Sequence, residues 1–136
     1  MFNPPNKKYT KYHCYKKNTT IKHKDYNINF GNFALIALNK GFMDIKQIET
    51  GRRSITAYLK RKGKVWIRIF PDFPQTKKPN ETRMGKGKGN VSHWLSYILP
   101  GQVLYEASSK NDAKTIEALE KAAKKLPVRT KIIKKY

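Results

Sequence analysis

TRMGKGKGN (82–90) is the stretch whose residue types and spacing most plainly do chemistry. Glycines at 85, 87 and 89 alternate with Lys86 and Lys88, and Arg83 and Met84 lead into them. Glycine at every second position disfavours helix and strand, yet lets backbone amides approach an anion closely. Lysines between them add charge without bulk, which suits a finger reaching a phosphate backbone. A solvated hairpin tip is the plain alternative. The run is no Walker A loop, because Gly-Lys-Ser/Thr does not occur, and it lacks the strand–glycine–helix order of a dinucleotide fingerprint. The nine carboxylates stand singly, at Asp25, Asp44, Glu49, Asp72, Glu81, Glu106, Asp112, Glu117 and Glu120. None has motif-like spacing for metal-assisted phosphoryl transfer. His13, Cys14, His23 and His93 miss zinc-finger intervals, and the Cys14–His13 pair is weak evidence for a nucleophile. Catalysis, metal and cofactor are therefore not expected; anion binding is.

A second candidate site is the opening stretch. Residues 1–24 hold seven Lys and no Asp or Glu. Tyr9, Tyr12, His13 and Tyr15 interleave there with Lys7, Lys8, Lys11, Lys16 and Lys17. Phosphate neutralisation plus ring stacking is the combination that irregular or single-stranded RNA requires. The reading is a basic arm, 1–24, ordered against its partner, followed by one domain over 25–136. A solvated tail with incidental tyrosines is the alternative.

The whole chain has the same bias. Its 136 residues carry 30 Lys+Arg against 9 Asp+Glu, a net charge of +21, and 24 of the 30 are Lys. So small a body repels itself unless a polyanion neutralises it. Hydrophobic residues, 38% of the chain, can still fill one modest core. No apolar run reaches the roughly 18 residues needed to cross a bilayer. One cysteine precludes an internal disulfide framework. Abundant Lys, Asn, Ile and Tyr suit a gene drifting toward A and T; a heat-adapted chain would carry more Glu as ion-pair partners.

The elements that must position these charges follow from pattern. YNINF (26–30) alternates like a half-buried strand, and FALIALN (33–39) is a second apolar segment. Asp44 and Gln47 form a capping box before a helix whose apolar face is Ile45, Ile48, Ile55 and Leu59, with Gly63 as the expected C′ glycine. Lys46, Arg53 and Lys60 recur at seven-residue steps on another face, beside Arg52 and Arg61. KVWIRIF (64–70) reads as a strand with Val65, Ile67 and Ile69 inward and Lys64, Trp66, Arg68 and Phe70 opposite, stopped by the turn Pro71–Pro74. VSHWLSYIL (91–99) and QVLYEAS (102–108) are strand-like and separated by Pro100-Gly101. A second helix opens at Asn111 or Asp112, carries Ile116, Leu119, Ala123 and Leu126, and is stopped by Pro127; VRTKII (128–133) is a last strand. The expected fold is α+β, with two helices packed on a mainly antiparallel sheet.

These stretches resemble a family, the bacterial and organellar form of large-subunit ribosomal protein sixteen. The resemblance is carried by MFNPPNKKYTKYH at the start, FGNFALIAL (30–38), QIETGRRSITAYLKRKGKVWIRIFPDFP (47–74), ETRMGKGKGNVSHWLSYILPGQVLYE (81–106) and ALEKAAKKLPVRTKII (118–133). It implies an α/β-hammerhead type of α+β domain bound to large-subunit rRNA beside the aminoacyl-tRNA site, with structural and assembly roles and no catalysis. By motif, Arg83, Met84, Gly85, Lys86, Gly87, Lys88 and Gly89 become a tRNA-proximal loop. The rRNA contacts become Lys7, Lys8, Lys11, Tyr12 and His13 in the arm, and Arg52, Arg53, Lys60, Arg61, Lys62, Lys64 and Arg68 along the first helix and its exit. The implied partners are large-subunit rRNA, A-site tRNA and neighbouring large-subunit proteins, with no membrane span and no homo-oligomer. Departures are local: CYKKNTT (14–20) replaces a Gly-rich arm stretch, Phe73 stands where Lys is common, and ASSKND (107–112) replaces a Gly-Val turn. A match beginning at Met1 and the A/T-driven composition suggest a mitochondrial gene, with plastid or AT-rich bacterium as alternatives. An RNA-acting enzyme or a basic nucleic-acid-binding module outside the ribosome are the competing functions.

Overall fold

A computed structural model describes residues 4–5, 8–13 and 27–135. Lys7 and the stretch 14–26 lie outside the described residues, and with them the CYKKNTT departure. The elements run β1 (Phe33–Ala37), β2 (Gly41–Asp44), α1 (Ile45–Tyr58), β3 (Gly63–Ile67), β4 (Phe73–Lys77), β5 (Asn90–Ile98), β6 (Val103–Ser109), α2 (Asp112–Ala123) and β7 (Thr130–Lys134). Strands form a four-stranded antiparallel sheet in the order β3-β6-β1-β7 and a three-stranded one in the order β2-β5-β4. The fold is α+β, as the pattern implied.

Both helices pack on each other and on the larger sheet. Between them lie Leu35, Ile48, Ile55, Leu104, Tyr105 and Leu119, all fully buried. Helix α1 starts as expected: the Asp44 side chain takes up first-turn amides, and Gln47 Oε1 accepts from the Asp44 amide at 3.0 Å. Asn111 caps α2 by accepting from the Lys114 amide at 3.2 Å. Pro100-Gly101 is the corner where the chain leaves one sheet for the other, and Gly101 has φ 82°. A left-handed residue there favours glycine.

Three local expectations need correction. YNINF forms no strand over its described residues, 27–30. The amides of Asn29, Phe30 and Gly31 instead donate to the Glu106 carboxylate at 3.3, 2.7 and 2.8 Å, so a side chain takes the bonds a ladder would need. The Pro71–Pro74 turn is shorter than expected, because Phe73 already begins β4; β2 was also absent from the pattern. Finally, α1 does not end on Gly63, which opens β3. It ends on Lys60 and Arg61, with φ 48° and 60°.

Candidate nucleic-acid interface

The closure of α1 puts two cations side by side. The Lys60 amide donates to the Ala57 carbonyl at 3.1 Å, and the Arg61 amide to that of Thr56 at 3.2 Å. This paired closure is a Schellman motif with lysine where glycine is usual. The left-handed conformation costs an L-residue roughly 1–2 kcal/mol. Lys60→Gly should therefore raise unfolding free energy by about 0.5–1 kcal/mol, part of the relief being offset by a freer unfolded chain. The same change should lower the log–log salt slope of RNA binding by about 0.7–0.9 if Lys60 meets a phosphate. Urea melts and salt titrations check both halves; lower stability would show that the strain lies elsewhere.

Lys60 and Arg61 share an open groove with Arg52, Arg53 and Thr56. Glu49 orients two of its arginines. Arg52 Nε lies 3.1 and 3.0 Å from the two Glu49 oxygens, and Arg53 Nε lies 3.2 Å from one of them. Hydrogen bonding from Arg52, the largest influence, together with the Arg52 charge and the bond and charge of Arg53, outweighs desolvation and holds the Glu49 carboxyl below its usual range. Arg53 remains 73% exposed and commits one N–H to Glu49, leaving donors in its fork for a phosphate. Glu49 was not among the expected site residues, although its spacing from the two arginines carries that signal.

Lys62 and Lys64 continue the basic surface, exposed after α1 and on the edge strand β3. Arg68 does not join it. Its guanidinium pairs with the buried Glu106 and lies 5.4 Å from the Phe30 ring centroid. Phe30 in turn stacks on Trp66, with centroids 6.1 Å apart. Burial pushes the Glu106 carboxyl up, but the amides of Gly31, Phe30 and Asn29, with the charge of Arg68, outweigh it and hold the group below its ordinary value. Arg68, expected to face RNA, pairs with Glu106 and keeps 26% of its side chain exposed.

The Gly-Lys stretch tips the β4–β5 hairpin, whose last pair is Lys77 with Asn90. Arg83 to Lys88 are exposed, Met84 to 95%. Gly85, Lys86 and Gly87 have φ of 103°, 54° and 83° in succession. No atom lies within 4 Å of where a Cβ would stand on Gly85 or Gly87, so conformation, not crowding, calls for glycine there. Gly89 is different: a Cβ would stand 2.7 Å from the Lys77 carbonyl oxygen. Lys78 Nζ donates to the Gly85 carbonyl at 2.7 Å and steadies the loop base.

The arm meets this loop. Lys11 Nζ donates to the Lys88 carbonyl at 3.1 Å, and Lys88 Nζ donates to the Tyr12 carbonyl. Two sites 77 residues apart in sequence thus form one cationic edge, which composition could not reveal. Lys8 and His13 are exposed on the same arm. Among the described residues no group of three His, Cys, Asp or Glu side chains could hold a metal ion, and no helix is long and apolar enough to cross a membrane.

The chain is thus an α+β domain that carries a cationic groove at a helix end and a Gly-Lys hairpin tip met by a basic arm. Residues 4–133 match the family model for ribosomal protein L16p/L10e. The large ribosomal subunit protein uL16 of Francisella tularensis subsp. novicida is 47% identical over 119 residues, covering 88% of this chain and 87% of that protein. The uL16 of Francisella philomiragia matches to the same extent. The chain belongs to the ribosomal protein L16p/L10e family, whose members are structural proteins and not enzymes.

Proposed function

We propose that this chain is a structural constituent of the large ribosomal subunit that binds large-subunit rRNA beside the aminoacyl-tRNA site and supports assembly and translation. The family match over nearly the whole chain supports the subunit. The observations that support the finer reading are the cationic groove at the end of α1 and the Gly-Lys loop met by the arm. We assign rRNA contact to Arg52, Arg53, Lys60, Arg61, Lys62 and Lys64 on the domain, and to Lys7, Lys8, Lys11, Tyr12 and His13 in the arm. Contact with A-site tRNA is assigned to Arg83 to Gly89. Neighbouring large-subunit proteins are the remaining partners. The arm is assigned to 1–24 and the rRNA-binding domain to 25–136.

Sedimentation tests the coarse claim: the protein should co-migrate with the large subunit at near one copy each. The fine claim rests on the loop. Lys86→Ala with Lys88→Ala should change unfolding free energy by no more than about 0.5 kcal/mol, as exposed substitutions do. Incorporation should survive on the remaining cations, while aminoacyl-tRNA accommodation slows. Gly87→Val should slow it too, because valine is strained at φ 83°. Unchanged accommodation on fully loaded ribosomes would make the loop a solvated tip. For the compartment we favour a mitochondrion on the Lys-, Asn- and Ile-rich composition, although the relatives named above are bacterial; fractionation of the source cells decides it.

A further inference from the structure

A second cavity, of about 990 Å³, opens where the end of α1 faces the β6–α2 connection. Ala57, Tyr58 and Leu59 line it on one side. Lys60, Lys62, Lys110 and Lys114 stand around it with no carboxylate among the lining residues. Among the described residues none of these four lysines takes part in a salt bridge. Tyr58 is held in place: its hydroxyl donates to Glu117, and Lys121 Nζ lies 3.9 Å from the ring centroid. The β6–α2 connection supplies Ser109, Lys110 and Asn111.

We infer that this cleft receives one unpaired nucleotide of RNA, its base against the Ala57–Leu59 side and its phosphates on the lysines. The inference rests on the rRNA-binding reading and deepens it. Apolar surface ringed by cations of one sign matches a nucleotide, which is an apolar-faced ring carried on an anionic chain. Duplex RNA offers only phosphates and sugar edges to such a recess. An acidic peptide could satisfy the lysines, but its carboxylates sit on flexible side chains and leave the apolar side without a flat partner. The cleft also adjoins the Arg52–Arg61 groove, since Ala57 and Lys60 line both. RNA tracking the groove thus reaches the cleft without leaving the protein.

The test uses the full chain with a hexaribonucleotide bearing a central 2-aminopurine, a short blunt RNA duplex and a Glu-rich hexapeptide. Ala57→Leu narrows the cleft without changing charge, at an exposed helical position where leucine is tolerated. It should weaken hexanucleotide binding about five-fold or more, the scale of one lost base contact, while duplex binding moves less than about two-fold. The 2-aminopurine signal should change on binding to the wild type and not to this variant. Lys110→Ala with Lys114→Ala should lower the hexanucleotide salt slope by about 1.4, or 0.7 for each lost phosphate contact. Equal losses for both RNAs, or none with Ala57→Leu, would reduce the lysines to a solvated rim and overturn the inference. Peptide binding that is sensitive to Ala57→Leu, with RNA binding unaffected, would assign the cleft to a protein partner instead. Failure of the wild type to sediment with large subunits would overturn the ribosomal reading alone, since the oligonucleotide measurements do not depend on it.

Discussion

Glu106→Gln is expected to destabilise the domain by about 3 kcal/mol. Removing one partner of a buried ion pair costs roughly 3–5 kcal/mol, and the low end applies because Arg68 keeps 26% of its side-chain surface exposed. Glutamine fits the space but supplies one acceptor oxygen where the carboxylate supplies two. It therefore cannot serve the amides of Asn29, Phe30 and Gly31 and the Arg68 guanidinium together. The pH dependence follows from the depressed folded-state value. Stability from an ionised Glu106 is fully present above the unfolded carboxyl's value, near 4.3, and is lost as pH falls through the lower folded value. Urea melts of both proteins from pH 7 downward should show the wild-type advantage constant to about pH 5 and shrinking below it. Glu49, also depressed, is common to both proteins and cancels in the difference. A pH-independent gap would mean that Gln loses packing and not charge.

Glu106 also marks where sequence reading stops. The capping box at Asp44 and Gln47 was legible because its partners are three residues apart, and β1, β5 and the α2 start at Asn111 are equally local. YNINF has a strand's alternation, but its Asn29 and Phe30 amides are taken by a carboxylate 77 and 76 residues away. Strand β4 was hidden by proline: Pro74 pairs in register with Trp94, which is possible because β4 is an edge strand and an outward N–H is not needed there. The α1 terminus was misplaced because left-handed lysine and arginine lack glycine's sequence signature. For the site, charge and glycine spacing identified the loop and the basic helix face. The joining of arm to loop, the diversion of Arg68 and the meeting of 57–62 with 109–114 depend on long-range packing, which periodicity does not encode.

Gly51→Ala sets two effects of opposite sign against each other. Helix propensity alone favours alanine by about 1 kcal/mol within a helix, and Gly51 lies inside α1, fully packed. Its Cβ, however, would stand 2.5 Å from the Tyr105 hydroxyl, 2.9 Å from Tyr105 Cζ and 3.3 Å from a Leu126 methyl. Tyr105 cannot swing aside easily. Its ring is completely buried and its hydroxyl donates to the Ile48 carbonyl at 2.8 Å. Burial, and then the charge of Glu49, push its phenol up, so the hydroxyl keeps its proton and its donor role at neutral pH. Overpacking costs about 1–3 kcal/mol, and displacing the hydroxyl from its carbonyl adds about 1–3 kcal/mol for an unsatisfied buried group. These terms exceed the propensity gain, so the net expectation is a loss of about 2–4 kcal/mol. Tyr105→Phe separates the terms. Alone it should lose about 1 kcal/mol with the hydrogen bond, but it deletes the atom nearest the new methyl. Gly51→Ala should therefore hurt less when combined with Tyr105→Phe, with a coupling of at least about 1 kcal/mol in a double-mutant cycle of urea melts. If the two changes add, Gly51 is not held small by Tyr105, and the hydroxyl does not fix how closely α1 approaches the sheet.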